Sequence, residues 1–101
     1  MIIFNTTYHV DSGLEDNFIA WLKENYIPVA LRRGELSQPQ LCRVMTTEDC
    51  EGSSLSLQFH VKDVETLSRW YDEAGVELSE ALVARFGDKV VGFNTLLEVI
   101  D

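Results

Sequence analysis

The sequence predicts an α+β domain, a four-stranded antiparallel sheet with two helices on one face. Three observations predict it. The opening stretch Met1 to Val10, MIIFNTTYHV, is rich in β-branched and aromatic residues and reads as a central strand. Residues Ser53 to Val61 alternate strictly between apolar and polar side chains, as a strand with one buried face does. Two other stretches repeat their apolar residues at helical spacing.

In the first strand Ile2, Phe4, Thr6, Tyr8 and Val10 point one way, and Ile3, Asn5, Thr7 and His9 the other. The first set wants a core. Ser12 and Glu15 then fit a capping box, in which a hydroxyl and a carboxylate satisfy free amides at a helix start. Leu14, Phe18, Trp21, Leu22 and Tyr26 form the apolar stripe of the first helix. Pro28 disfavours helix at Ile27, so a kink or break is expected near Tyr26 and Ile27, with Pro28 opening a last turn that Gly34 ends.

Gln40 to Thr47 reads as the second strand, preceded by Pro39, and Glu48 to Gly52 as a polar turn. In the third strand Leu55, Leu57, Phe59 and Val61 alternate with Ser54, Ser56, Gln58 and His60. Asp63 is a helix cap. Val64, Leu67, Tyr71, Ala74, Leu78, Leu82 and Phe86 hold one helical phase beyond it, and Gly75 marks a place for a local break. Phe86, Gly87 and Asp88 form a stop, and Lys89 to Ile100 the fourth strand. There Val91, Phe93, Thr95, Leu97 and Val99 are expected to face the core, and Gly92, Asn94, Leu96 and Glu98 the other side.

Strand, helix, strand, strand, helix, strand is the βαββαβ order of the ferredoxin-like fold. It sets the first and third strands side by side in the centre, in one domain over residues 1–101. With 101 residues, 46% of them hydrophobic and 25% charged, the chain builds its own core. Eight basic against 17 acidic residues give a net charge of −9, which excludes the basic footprint of a nucleic-acid binder and disfavours anionic membranes. The start lacks the basic and apolar segments of a secretory signal, which predicts a cytoplasmic, bacterial-type protein. Cys42 and Cys50 read as reduced thiols. The Cys and His spacings match no metal motif, and neither metal nor cofactor is expected.

The side of the sheet away from the helices is expected to carry the function. It presents Asn5, Thr7 and His9, then Gln58 and His60, then Asn94, and these six are the candidate ligand-binding residues. The second strand adds either Cys42, Val44 and Thr46 or Leu41, Arg43 and Met45, because a single bulge exchanges the two sets. Ile3, Val90 and Leu96 make this face too apolar to stay wet, which predicts a homodimer packed sheet to sheet, a dimeric α/β barrel. His9 and His60 fall about 20 Å apart along antiparallel neighbours, too far for one metal site.

Met1 to Val10, Trp21-Leu22 with Tyr26-Ile27-Pro28, Leu41-Cys42-Arg43, Arg85 to Val91, and Thr95 to Val99 together resemble a family of bacterial proteins of about this length with no assigned function. The resemblance spans the whole chain. It implies a dimeric ferredoxin-like architecture and supplies no reaction, ligand or catalytic residue.

Two functions compete. One is a non-enzymatic homodimer that binds a small molecule or serves as an interaction domain, which the mixed face favours. The other is an enzyme of the dimeric α/β-barrel type, a cofactor-free oxygenase with His9 or His60 as base. Haem-degrading relatives of that barrel combine an Asn on the first strand, a Trp and an axial His on the second helix. Asn5 and Trp70 match two of these, but the second helix has no His. An RNA-recognition module would need stacking aromatics where the third strand has Ser, Ser, Gln and His. Ser54 and Ser56 share a face with His60 but have no acidic orienter for nucleophilic hydrolysis. For Arg43 an anion-holding role competes with a surface salt bridge.

Overall fold

A computed structural model describes residues 1–45 and 52–101. Strand β1 (Ile2–Val10) leads into a first helix over 15–31, then β2 (Leu36–Arg43), β3 (Ser53–Val61), a second helix over 64–86, and β4 (Val90–Glu98). The strand order is β2-β3-β1-β4 with every neighbouring pair antiparallel, which is the ferredoxin-like architecture. Strand β1 is central, hydrogen-bonded to β3 on one side and β4 on the other, and its helix-side face is apolar except at Thr6. Phe4, Tyr8 and Val10 lie under the helices beside Leu55, Leu57, Phe59 and Val61 of β3, each of these four 1% exposed. The register sets Ile3 opposite His60, Asn5 opposite Gln58 and His9 opposite Ser54, as the sequence predicts.

Both helices keep one direction through a widened turn. Residues Leu22–Tyr26 and Tyr71–Gly75 are π-helical, and the amides of Ile27 and Val76 reach back five residues to the carbonyls of Leu22 and Tyr71. In the first helix the expected break is therefore a π turn, and Pro28 sits in the α-helical turn that follows, where its missing amide costs least. In the second, the widening seats Trp70 in the core in place of Tyr71, and leaves Tyr71 and Val64 exposed. The Trp70 indole N–H donates to the Ala30 carbonyl at 3.0 Å and ties the two helices together. Phe18 joins them at the other end, with ring centroids 5.0 Å from Tyr8 and 5.2 Å from Phe86.

Asp63 caps the second helix as expected, its carboxylate accepting from the Thr66 amide at 2.8 Å. The capping box at the first helix does not form. Leu14 takes the cap position without a side-chain bond, and Glu15 instead accepts from Arg43 and from Ser53, each at 2.6 Å. An ion pair with a neighbouring strand has displaced a local cap.

Strand β2 begins four residues earlier than the sequence predicts. It absorbs Pro39 because it is an edge strand with an irregularity between Ser37 and Gln40, where Gln38 adopts a positive φ of 50°. The extra residue lets both Leu36 and Leu41 face the helices and turns Gln40 and Cys42 to the open side, so of the two expected sets the one with Cys42 is correct. Thr46, Thr47, Cys50 and the turn residues 48–51 lie outside the described residues.

The faces of β4 are the reverse of the expectation. Thr6 pairs with Asn94 and Tyr8 with Gly92, so Val90, Gly92, Asn94 and Leu96 share the helix side with them. Val91, Phe93, Thr95 and Leu97 share the open side with Ile3, Asn5, Thr7 and His9. The more apolar set points away from the helices. Alternation alone could not choose, because both sets carry apolar residues and only Val90 of this strand is buried.

Candidate functional site

On the open side the structure gathers five of the six predicted residues, Asn5, Thr7, His9, Gln58 and His60. Asn94 is not among them. Its amide oxygen accepts from the Thr6 hydroxyl at 2.9 Å on the helix side. The Asn5 amide is already engaged, its nitrogen donating to Thr7 at 3.2 Å and its oxygen accepting from Ser56. These bonds run within the strand and to the neighbouring strand, so Asn5 and Gln58 are register partners whose side chains turn to others. His9 and His60 stand six register steps apart, about 20 Å along the sheet. Among the described residues no group of three His, Cys, Asp or Glu side chains is placed to hold a metal. Around the polar residues lie Phe93, Val91, Leu97 and Val44, respectively 65%, 57%, 44% and 43% exposed. Val90 and Leu96, expected in this patch, belong to the other side.

A cleft of about 400 Å³ opens on the helix side, between the second helix, the end of the first helix and the strands β1 and β4. Phe4, Tyr8, Tyr26, Trp70 and Tyr71 supply aromatic walls, and Thr6 with Asn94 a polar floor. Thr6 is the buried polar residue of the described chain, at 8% exposure. No charged side chain of the described residues lines this cleft, in a protein with a quarter of its residues charged. Burial pushes the Tyr8 phenol well above its ordinary value, and the neighbouring Tyr26 phenol adds to the rise. Burial raises Tyr26 as well. Both hydroxyls therefore stay neutral and serve as hydrogen-bonding groups rather than as anions.

Two glycines make the room. A Cβ on Gly92 would sit 2.9 Å from the Tyr8 ring, and one on Gly75 would sit 2.8 Å from the rings of both Trp70 and Tyr71. Each lies inside a regular element, where glycine costs up to about 1 kcal/mol relative to alanine. Aromatic rings resting on bare backbone repay that cost by close packing.

Ion pairs stand away from the cleft. Arg43 bonds Glu15 and so takes the salt-bridge role. Hydrogen bonds from Ser53 and Arg43 hold the Glu15 carboxyl below its ordinary value. Glu35 is held down by Arg33 at 2.7 Å, with Arg69 at 2.9 Å on its other oxygen. The Glu15 contacts tie the start of the first helix to β2 and β3, and the Glu35 contacts tie the turn before β2 to the second helix.

The sequence did not single out Thr6, Tyr8, Tyr26 or Tyr71 as site residues, and placed Asn94 on the wrong side. Two signals were present. Thr6 interrupts an otherwise apolar face, and Gly75 and Gly92 interrupt a helix and a strand. The haem comparison loses its second match, because Asn5 and Trp70 lie on opposite sides of the sheet.

The chain belongs to the family described as domain of unknown function DUF4286, which matches residues 1–100. No curated protein matches it. Among solved structures it is similar to HapK from Hahella chejuensis, at 11% identity and a TM-score of 0.72 over 99% of this chain and 93% of that one. An EthD family protein from Bacillus halodurans is similar at 13% identity and a TM-score of 0.73, over 99% of this chain and 100% of that one. Protein Atu4242 from Agrobacterium tumefaciens is similar at 12% identity and a TM-score of 0.69, over 97% and 92%. At these identities the likeness is one of fold. No helix among the described residues is long and apolar enough to cross a membrane.

Proposed function

We propose that this DUF4286 protein is a non-enzymatic homodimer that holds a small uncharged molecule in the helix-side cleft. The observation that carries the reading is the cleft itself, aromatic-walled, free of charged side chains, with its rings seated on Gly75 and Gly92. A mostly apolar cavity with a few converging polar groups is the usual form of a small-molecule site. Thr6 and Asn94 would orient a polar group of the ligand, and the phenols of Tyr8 and Tyr26 would donate or accept beside them.

The second copy belongs on the open side. Phe93, Val91, Leu97, Val44 and Ile3 form an apolar surface there that sheet-to-sheet packing would cover. Asn5, Thr7, His9, Gln58 and His60 would then line the interface rather than the ligand. Homodimer and cleft use opposite sides of one sheet, so neither blocks the other. The charge of −9 and the free thiol of Cys42 suit a cytoplasmic protein.

The oxygenase alternative needs His9 or His60 as base. Both are on the open side, away from the cleft, and that separation favours binding over catalysis.

The test is an amide NMR titration of the protein with a set of neutral aromatic and alicyclic small molecules. Shifts should concentrate at Thr6, Gly75, Gly92 and Asn94, and Gly92→Val, which puts atoms where the Tyr8 ring and the ligand sit, should abolish them. Shifts confined to Asn5, Gln58 and His60 would move the ligand to the open side and sink the cleft reading.

A further inference from the structure

The cleft continues past its own end. A second hollow of about 400 Å³ lies beside it, lined by Leu67, Ser68, Asp72 and Leu96. Three residues, Phe4, Tyr71 and Asn94, line both. Phe4 and Asn94 are floor, set on neighbouring strands. Tyr71 alone of the three comes from the helix above. Along the second helix the lining runs from Leu67 through Tyr71 to Val83, and along β4 it runs back from Leu96 through Asn94 to Val90. From Leu67 to Val83 the helix rises roughly 24 Å, and from Leu96 to Val90 the strand advances roughly 20 Å. The two walls run alongside each other, and Tyr71 is the helix residue that borders both hollows.

We infer that Tyr71 determines ligand length: its ring partitions one groove between the second helix and β4 into two compartments. The inference rests on the cleft being the ligand site. The inner compartment holds the polar floor of Thr6 and Asn94 and the phenols of Tyr8 and Tyr26. The outer compartment is an apolar trough on Phe4, Leu67 and Leu96, with Asp72 beside it. A short molecule fits the inner part. A molecule with an apolar arm reaches the outer part only where the ring gives way.

The local structure explains why this ring is a partition and Trp70 is not. Tyr71 opens the π-helical segment and Gly75 closes it. Both Tyr71 and Trp70 rest on the bare Cα of Gly75. Trp70 is 1% exposed and bonded to Ala30, so it is fixed from every side. Tyr71 is 42% exposed and stands outside the buried core. A methyl group at residue 75 would therefore displace Tyr71 in preference to Trp70, because an exposed ring at the end of its side chain moves more easily than a buried one.

The experiment measures fluorescence binding of two neutral probes, the short 2-naphthol and the longer N-phenyl-1-naphthylamine, to wild type, Tyr71→Ala, Tyr71→Phe and Gly92→Val. Circular dichroism melts confirm that each variant is folded, and Tyr71 lies outside the core, so its variants should be. Tyr71→Ala should raise the affinity for the long probe relative to the short one by about tenfold. Tyr71→Phe keeps the ring and should leave that ratio at the wild-type value. Binding of the long probe to Tyr71→Ala alone, with wild type binding only the short one, supports the partition in its strictest form. Binding of both probes to wild type, abolished by Gly92→Val but with an unchanged ratio in Tyr71→Ala, overturns the partition and leaves the cleft reading standing. Absence of binding in wild type and Tyr71→Ala alike, or binding that Gly92→Val does not disturb, overturns the cleft reading and the partition with it.

Discussion

The two sides of this sheet are built from the same strands and read very differently. On the helix side Phe4, Tyr8, Leu55, Leu57 and Phe59 are buried, and Thr6, Gly92 and Asn94, polar or without a side chain, stand together on β1 and β4 in the cleft. On the open side polar and apolar residues alternate across the strands, and large apolar groups such as Phe93 stand in solvent in the single chain. A packed side with a local gap suits a small ligand. An unpacked side with scattered apolar groups suits a broad partner. The contrast shows that the informative residue on each side is the exception, a polar or absent side chain where the core is packed and a large apolar one where it is not.

Paired substitutions break or sharpen that contrast. The largest effect should come from Phe59→Ala on the packed side, which should lower unfolding free energy by about 3–5 kcal/mol in urea melts. Phe93→Ala should change the stability of the isolated chain by less than about 0.5 kcal/mol. Equal losses at low concentration, where the chain is monomeric, would erase the difference between the sides.

Oligomeric state sharpens it next. Phe93→Glu and Ile3→Glu should each shift sedimentation equilibrium at micromolar concentration from dimer towards monomer by placing charges in the interface. Cleft binding of 2-naphthol should persist in both. Wild type sedimenting only as monomer would remove the second copy from the open side.

Removing one hydroxyl gives a smaller effect. Thr6→Val should cost about 1 kcal/mol, because the Asn94 amide loses its 2.9 Å donor at a buried residue. Thr7→Val, on the open side, should cost less, since water can replace the hydroxyl that accepts from Asn5. A larger loss at Thr7 would mean that the open side is more tightly packed than the cleft floor.

The pH response should be smallest near neutrality and opposite in sign at the two extremes. Tyr8 and Tyr26 are raised in the folded protein, so above about pH 10 the unfolded chain ionises first. It then binds fewer protons than the folded chain, and stability present below that pH should fall as pH rises. In Tyr71→Phe, which keeps only Tyr8 and Tyr26, tyrosinate absorbance near 295 nm should appear together with loss of the circular dichroism signal rather than before it. Glu15, Glu35 and Asp63 are depressed, so the stability they lend is present above about pH 4.5 and is lost as pH falls through their folded values. That acid loss should be modest, because the arginine partners of Glu15 and Glu35 are exposed and water screens the ion pairs. Melts across both ranges that show alkaline stabilisation would contradict the burial of the two phenols.

What the sequence determined by itself is what local periodicity encodes. The alternation in Ser53–Val61, the central place of β1, the cap at Asp63, the element order and the β1–β3 register all follow from spacings of two or of three to four residues. Five of the six candidate residues were placed on the correct side of the sheet for the same reason. The rest needed contacts between distant segments. The bulge in β2 and the pairing of Thr6 with Asn94 set which phase of each edge strand meets the helices, and a one-residue shift reverses every side chain. The exchange of Tyr71 for Trp70 in the core depends on a turn widened by one residue, which no apolar spacing records. Gly75 and Gly92, far apart in the chain, both line the cleft and let its aromatic rings pack on bare backbone, and only the fold brings them there.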